Sequence, residues 1–468
     1  MVHCALNERI FKIWISLLGC LKLTTVEQKN MSSPTWSYDE KFYESLVASD
    51  ENLYIKTDPV KGKGLFAKRK MSQGSKALVE TAFCCSQNLD DVSKGIPVCA
   101  MCLLSLENPK SIVSRVARNK QLAAELPLIE AFHVRRRHST PCKFASSGCS
   151  ALFCSVRCRD QASNTFHHAG CRGKMSDDTQ AKLDAFLDES WQQGAVDYSD
   201  THFLAFRFLC IAMTRCRLNK VPLREAYFSI GQLIKAPITR FNFSFLLQED
   251  SSVVELSKEE ALALNWVNFL KYKHCPHENP NVVKALKEDP VTKEDMIQRG
   301  YALISAIFNF SDDEMCVVSP TVWSELLGAV LLNGQERTPN SPFVEYQEVV
   351  SMIQPHDKEL KALLKKAKHS GTDTTKFAQS SRGQGIYTVG CLFNHSCEPN
   401  LQILYIDAND ETLAAFCLRD IEAEEELCIS YIDENMHVTH RQQQLFEHYL
   451  FECQCRKCVD EIKALEIK

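Results

Sequence analysis

Cysteines at short, repeated spacings are the first residues in this chain that could do chemistry. Cys99-x2-Cys102 is followed, after a long gap, by Cys142, Cys149, Cys154-x3-Cys158, His167 and Cys171. C-x2-C and C-x3-C steps let two sulfurs close in sequence face one ion, and seven thiols with one imidazole supply two tetrahedral Zn2+ sites. The interleaved order assigns Cys99, Cys102, Cys154 and Cys158 to one zinc and Cys142, Cys149, His167 and Cys171 to the other. His138 could replace Cys142, and His168 could replace His167. A further group, Cys453-x-Cys455-x2-Cys458, has three thiols and lacks a fourth ligand, which Cys397 can supply. That third site would draw the tail against a distant segment and close a pocket.

Cys397 stands in Phe393-Asn394-His395-Ser396-Cys397-Glu398-Pro399-Asn400, which follows the apolar run Val389–Phe393. An amide and an imidazole side by side at the end of such a run can hold a buried polar ligand. Glu425-Glu426-Leu427-Cys428-Ile429-Ser430-Tyr431 reads as an apolar strand ending in a tyrosine. Lys61-Gly62-Lys63-Gly64-Leu65-Phe66-Ala67 has glycines that allow close backbone approach to a ligand, although a plain hairpin turn explains it equally well.

The elements that must position these groups spread over 468 residues, enough for two to four packed units. Hydrophobic residues at 45% and charged residues at 24% are ordinary for a globular protein. The 22 cysteines are not. Clustering at short steps favours metal sites in a reducing compartment over disulfides; Cys210, Cys316, Cys391 and Cys417 read instead as single thiols in apolar surroundings. A net charge of -5 gives no general attraction to nucleic acid and suits a basic partner. Ile13–Leu21 is too short an apolar run to span a bilayer, and Met31 offers a second start, so residues 1–36 read as a nonessential, poorly ordered leader.

Strand candidates fall at Leu53–Ile55, Ala77–Val79, Leu401–Tyr405 and Leu427–Tyr431. Phe203–Met213 is apolar nearly all round, as in a buried helix, while Glu255–Phe269 and Glu345–Lys368 have amphipathic helical spacing.

Taken in order, the three catalytic segments resemble the SET domain, and the first cysteine cluster resembles the MYND finger. Together they resemble the SET and MYND domain-containing (SMYD) protein-lysine methyltransferases over roughly Leu53 to Cys458. The likeness is to the member-five branch, with a long insert inside the finger, a second before the Asn-His segment, and no C-terminal helical repeats. It implies an α+β fold, a SET-domain β-clip interrupted by the finger and a helical insertion and closed by a cysteine-rich post-SET zinc motif. Its parts would be 37–95 and 331–435 for the two SET portions, 96–175 for the finger, 176–330 for the helical insertion and 436–468 for the tail.

The resemblance further implies S-adenosylmethionine as methyl donor beside three structural Zn2+ ions. It assigns Lys63, Gly64, Asn333, Asn394 and His395 to the donor pocket, Phe451 to packing on the donor's adenine, Tyr449 to a wall of the lysine channel, and Tyr431 to catalysis at the donor's methyl. The expected substrate is a histone or ribosomal protein lysine in the nucleus or cytoplasm, with a proline-containing peptide at the finger and neither nucleic acid nor membrane as partner. Two departures stand out: Cys142 and Cys149 replace a C-x2-C step, and Glu424 occupies a turn position where the family has glycine. The rival reading is a non-catalytic adaptor that docks peptides through the finger. A nucleic-acid reading of Arg135–Arg137 is the weakest, given the acidic net charge.

Overall fold

The computed structural model describes residues 39–58, 61–133, 139–188, 199–241, 293–338, 341–353, 355–379, 381–405 and 412–466, all within one compact unit, Asp39–Phe241 with Thr292–Lys468. The leader, Arg135–Arg137, His138 and the Glu255–Phe269 stretch lie outside these residues. No described helix is long and apolar enough to cross a membrane.

Alternation of apolar and polar residues around glycine turns yields short strands. β1 (Leu53–Asp58) and β2 (Gly62–Ala67) form an antiparallel hairpin with Leu53 opposite Ala67. The Lys-Gly-Lys-Gly segment is thus largely a strand. β3 (Lys76–Thr81) belongs to a second sheet, and β4 (Cys84–Gln87) pairs with β8 (Gly383–Ile386), which pairs in turn with β7 (Gly334–Arg337). β5 (Thr140–Pro141) and β6 (Leu152–Phe153) make a small hairpin within the cysteine cluster. β9 (Asn394–His395), β10 (Leu401–Tyr405), β11 (Thr412–Cys417) and β12 (Glu426–Ile429) complete the set. The four-stranded sheet runs β1-β2-β12-β9, antiparallel except for the β12–β9 pair, and β10-β11-β3 forms another antiparallel sheet. Segments more than 300 positions apart therefore become neighbours, as where Leu65 meets Leu427.

Helices cover these sheets. α1 (Glu40–Val47) is capped by Asp39, which accepts from the Phe42 N–H, and buries Tyr43 and Val47. α2 (Pro109–Ala117) packs on Pro342–Ser351, α3 (Val156–Thr165) carries Cys158, and α4 (Asp177–Leu187) packs on α6 (Lys293–Phe308). α5 (Ser199–Asn219) is buried along the expected Phe203–Met213 run, where Leu204, Phe208 and Ala212 are fully enclosed. It packs against α7 (Pro320–Asn333), capped by Ser319 with proline in its first turn. A Cβ at Gly328 of α7 would lie 1.8 Å from the Ala236 carbonyl oxygen, so only glycine allows that approach.

The stretch expected as one helix over Glu345–Lys368 is two, α8 (Pro342–Ser351) and α9 (His356–His369), because Pro355 breaks the run and stands as the residue before α9. The two inserts share one apolar core. Ile112, Val113, Leu122 and Phe132 from the first pack with Phe343, Tyr346, Leu360 and Phe377 from the second. The Tyr346 hydroxyl donates to the Pro127 carbonyl at 2.6 Å. α10 (Val438–Tyr449) and α11 (Arg456–Glu466) form the tail. Among the single thiols, Cys210, Cys391 and Cys417 are buried as expected, but Cys316 is exposed on the short Asp312–Val317 helix, whose acidic first turn keeps it at the surface.

Candidate functional site

The β2–β12–β9 junction carries the segments singled out by sequence. A Cβ on Gly64 would fall 2.8 Å from Asn394 Nδ2 and 3.2 Å from Glu426 Oε1, so the glycine makes room for those side chains. Asn394 Nδ2 donates to Glu426 Oε1 at 2.9 Å, and Lys61 pairs with the other oxygen of that carboxylate at 2.6 Å. Asn400 fastens the next step: its Nδ2 donates to the Glu426 carbonyl at 2.8 Å, and its Oδ1 accepts from the Cys428 N–H, also at 2.8 Å.

Tyr431 lies two residues beyond the end of β12. Its N–H donates to His395 Nδ1 at 3.0 Å, and its hydroxyl donates to the Phe393 carbonyl at 2.5 Å. His395 Nε2 lies 3.3 Å from Cys397 Sγ, so both ring nitrogens of His395 are engaged. Burial lowers the His395 pKa to about 4 and pushes the Tyr431 phenol well up, with the neighbouring Tyr449 adding to the latter. Both groups are therefore neutral near pH 7. The ring of Tyr449 lies 4.7 Å from that of Tyr431, and Phe451 stands edge-on at 6.4 Å. With His395 these rings form one aromatic wall.

Lys63 precedes Gly64 on β2. Lys63 Nζ sits 3.8 Å over the Tyr43 ring of α1, and burial lowers its pKa to about 8. Asn333, at the end of α7, is 3% exposed; its Nδ2 donates to the carbonyls of Ile234 and Ala329 at 2.6 Å each, while its Oδ1 has no partner. A buried amide oxygen without a donor costs about 1–3 kcal/mol. An ammonium group would satisfy it.

Three groups of thiols bring together the ligands proposed from spacing: Cys99, Cys102, Cys154 and Cys158; Cys142, Cys149, His167 and Cys171; and Cys397, Cys453, Cys455 and Cys458. Within each group the ligand atoms lie within 4.8 Å of one another. Cys102–Cys154 and Cys142–Cys171 separations are 3.7 Å, and Cys397–Cys458 is 3.5 Å. A zinc with bonds of about 2.3 Å gives sulfur–sulfur edges of about 3.8 Å. One thiol in each group, Cys154, Cys149 and Cys458, is held far below the usual thiol range by hydrogen bonds from neighbouring ligands, while Cys102, Cys171 and Cys453 are pushed up. Such packed sulfurs cannot all ionise without a cation, and the donor set fits Zn2+. His168 turns away from its group, with Nδ1 2.9 Å from Lys174 Nζ.

Sequence reading missed the residues supporting the tail cluster. Arg441, 1% exposed, donates to Cys458 Sγ at 3.5 Å and to Glu461 at 2.8 Å. Gln442 clasps the Cys453 backbone, donating to its carbonyl at 2.7 Å and accepting its N–H at 2.8 Å. Glu80 accepts from the N–H groups of Val389 and Gly390 at 3.0 and 2.7 Å, fixing the turn before Asn394. Only spacing on one face of the tail helix could have marked Arg441. Glu424 adopts φ +67, the left-handed conformation that favours glycine, and its carboxylate accepts from the Tyr54 hydroxyl at 2.5 Å.

Residues 62–432 match the SET domain. The chain is similar to the protein-lysine N-trimethyltransferase SMYD5 of Gallus gallus, 26% identical over 85% of this chain and 84% of the relative. It is also similar to the histone-lysine N-methyltransferase SET5 of Mycosarcoma maydis, 23% identical over 96% of this chain and 76% of that protein. A shorter segment, 18% of the chain, is 42% identical to 19% of the histone-lysine N-methyltransferase SMYD3 of Mus musculus.

Proposed function

The chain belongs to the SET domain family and is a protein-lysine methyltransferase; we propose that it takes its methyl group from S-adenosylmethionine and acts on lysines of histone tails or ribosomal proteins. The observation that carries this reading is Tyr431, neutral and immobilised between the Phe393 carbonyl and His395, with the Tyr449 ring 4.7 Å away.

The donor supplies a methyl group activated by a sulfonium. The chain's own residues align and desolvate. Gly64 leaves room for the Asn394 and Glu426 side chains, Asn333 Oδ1 offers an acceptor for an ammonium, and the backbone of Asn394–His395 borders the pocket; Lys63 lines its side nearest α1. A substrate lysine has a reference pKa of about 10.4 and must lose its proton to attack. Enclosure by Tyr431 and Tyr449 disfavours the ammonium, while Phe451 packs on the donor's adenine. The Tyr431 phenol, itself held protonated by burial, cannot act as a base at neutral pH, so it orients by hydrogen bonding. Positioning of this kind contributes on the order of 7–11 kcal/mol. The net charge of -5 suits a basic protein substrate.

The three ligand groups fit structural zinc, the first two as a MYND-type finger and the third as a post-SET clasp. The deciding experiment offers radiolabelled donor and fractionated nuclear and ribosomal proteins to the purified chain and to Tyr431→Phe. Labelling by the parent that drops about 100-fold or more in the variant supports the reading. Equal labelling by both removes Tyr431 from catalysis, and no labelling by either refutes the reading and favours the peptide-docking adaptor.

A further inference from the structure

β12 stops pairing at Ile429, which lies opposite His395, so the Tyr431 N–H has left the backbone ladder. The His395 ring takes its place as acceptor, at 3.0 Å. A neutral imidazole has one acceptor and one donor nitrogen. Since Nδ1 accepts from Tyr431, the proton sits on Nε2, which faces Cys397 Sγ at 3.3 Å. Cys397 is in turn part of the four-thiol group with Cys453, Cys455 and Cys458. A metal-bound thiolate is a good acceptor for an N–H, and such outer contacts tune both the metal and what hangs from it.

We propose that His395 is a positioning residue whose imidazole ties the tail metal site to the reaction centre, holding the main chain of Tyr431 from the Cys397 sulfur. The inference rests on the methyltransferase reading above and adds the path by which a metal that never meets substrate governs the Tyr431 hydroxyl. The path is short: sulfur, imidazole, peptide N–H, phenol. Its far end is pinned by the Phe393 carbonyl, one residue before Asn394, so the His395 segment holds Tyr431 at both its backbone and its hydroxyl. Arg441 provides the matching contact on the other side of the cluster, to Cys458, but reaches no residue of the aromatic wall among its described hydrogen bonds.

Two substitutions separate the ends of the link. His395→Asn places an amide oxygen near the Nδ1 position and keeps an acceptor for Tyr431, but loses the donor to sulfur. His395→Gln places its amide nitrogen near the Nε2 position and keeps the sulfur contact, but loses the hold on Tyr431. The full chain is loaded with Co2+, whose thiolate-to-metal absorption reports the sulfur directly. Removing a hydrogen bond from a thiolate raises its lone-pair energy, so His395→Asn shifts that band to lower energy, while His395→Gln leaves it near the parent's. In zinc-loaded protein both variants are expected to keep three metals per chain and the KM for the donor within about two-fold, with kcat lowered about 10–100-fold. An unmoved band in His395→Asn overturns the link. So does parental kcat in both variants, and a loss confined to donor KM would make His395 a donor-binding residue instead. A parent that methylates nothing sinks the methyltransferase reading, and the positioning role with it, while the band still reports whether the sulfur contact exists.

Discussion

The tail and the joint core of the two inserts solve the same problem by different physics. Each must order a segment that cannot fold alone. Between Cys453 and Glu466 the tail places few large apolar side chains, and its core consists chiefly of Cys397, Val438, Leu445, Cys453 and Cys458 with the aromatic wall leaning on it. Ligand bonds replace burial there, and a structural zinc contributes about 10–16 kcal/mol in small finger domains. The insert core has no metal-ligand group among its described residues and relies on rings: Phe343 lies 5.1 Å from Phe377, and Tyr346 5.5 Å from Phe132. Each such side chain contributes about 1.5–3 kcal/mol by burial. The tail's thiol group also reaches Tyr431 through His395, whereas the insert core stands on ring packing.

Chelation should separate the two regions most sharply. After metal removal, hydrogen exchange at residues 436–466 and 142–171 should rise to nearly unprotected rates and methylation should cease, while residues 342–378 keep their protection. Simultaneous loss in the insert helices would show one cooperative unit and end the contrast. The converse substitution is Phe343→Ala, expected to cost about 3–5 kcal/mol in the insert core. Exchange should then rise at 109–133 and 342–378 with metal content unchanged, and a loss of zinc would count against independence.

Alkali tests the same point. Burial raises the Tyr346 phenol, so the stability tied to its protonated form is fully present below about pH 10 and is lost as pH climbs towards the raised value. Protection in the insert helices should fall above that pH, as read by exchange or tryptic cleavage. Tyr346→Phe should remove this dependence while costing only about 0.5–1.5 kcal/mol for the lost bond to Pro127. The smallest effect lies in neither region. Glu424→Gly relieves a left-handed backbone but gives up the Tyr54 contact, so thermal denaturation should show a gain below about 1 kcal/mol, with the difference between tail and inserts untouched.

Much of the site was legible because its chemistry is local in sequence. C-x2-C and C-x3-C steps and the Asn-His-Ser-Cys string announce what they hold, and the groups they form contain the ligands that spacing proposed, with Cys142 and His167 in place and His168 turned aside. β10 was readable from its own alternation, and α5 from its apolar run. β4, β7 and β8 were not: four residues each, two of them glycine-bearing, they gain strand character only by pairing with segments distant in sequence. Arg441 and Glu80 escaped for a related reason. A buried charge looks like a surface charge until its distant partner is known. The shared core of the two inserts was invisible too, since nothing in either stretch names its distant partner.

That shared core also sets a schedule for synthesis. Pro127 and Tyr346 are 219 residues apart, and at roughly 5–20 residues per second the first insert waits about 10–40 s for its other half to leave the ribosome. During that interval Ile112, Val113, Leu122 and Phe132 lack the second insert's side chains to cover them. The nascent protein should therefore present a sticky early segment to trigger-type or Hsp70-type chaperones, and shortening the stretch between the inserts should lessen that dependence.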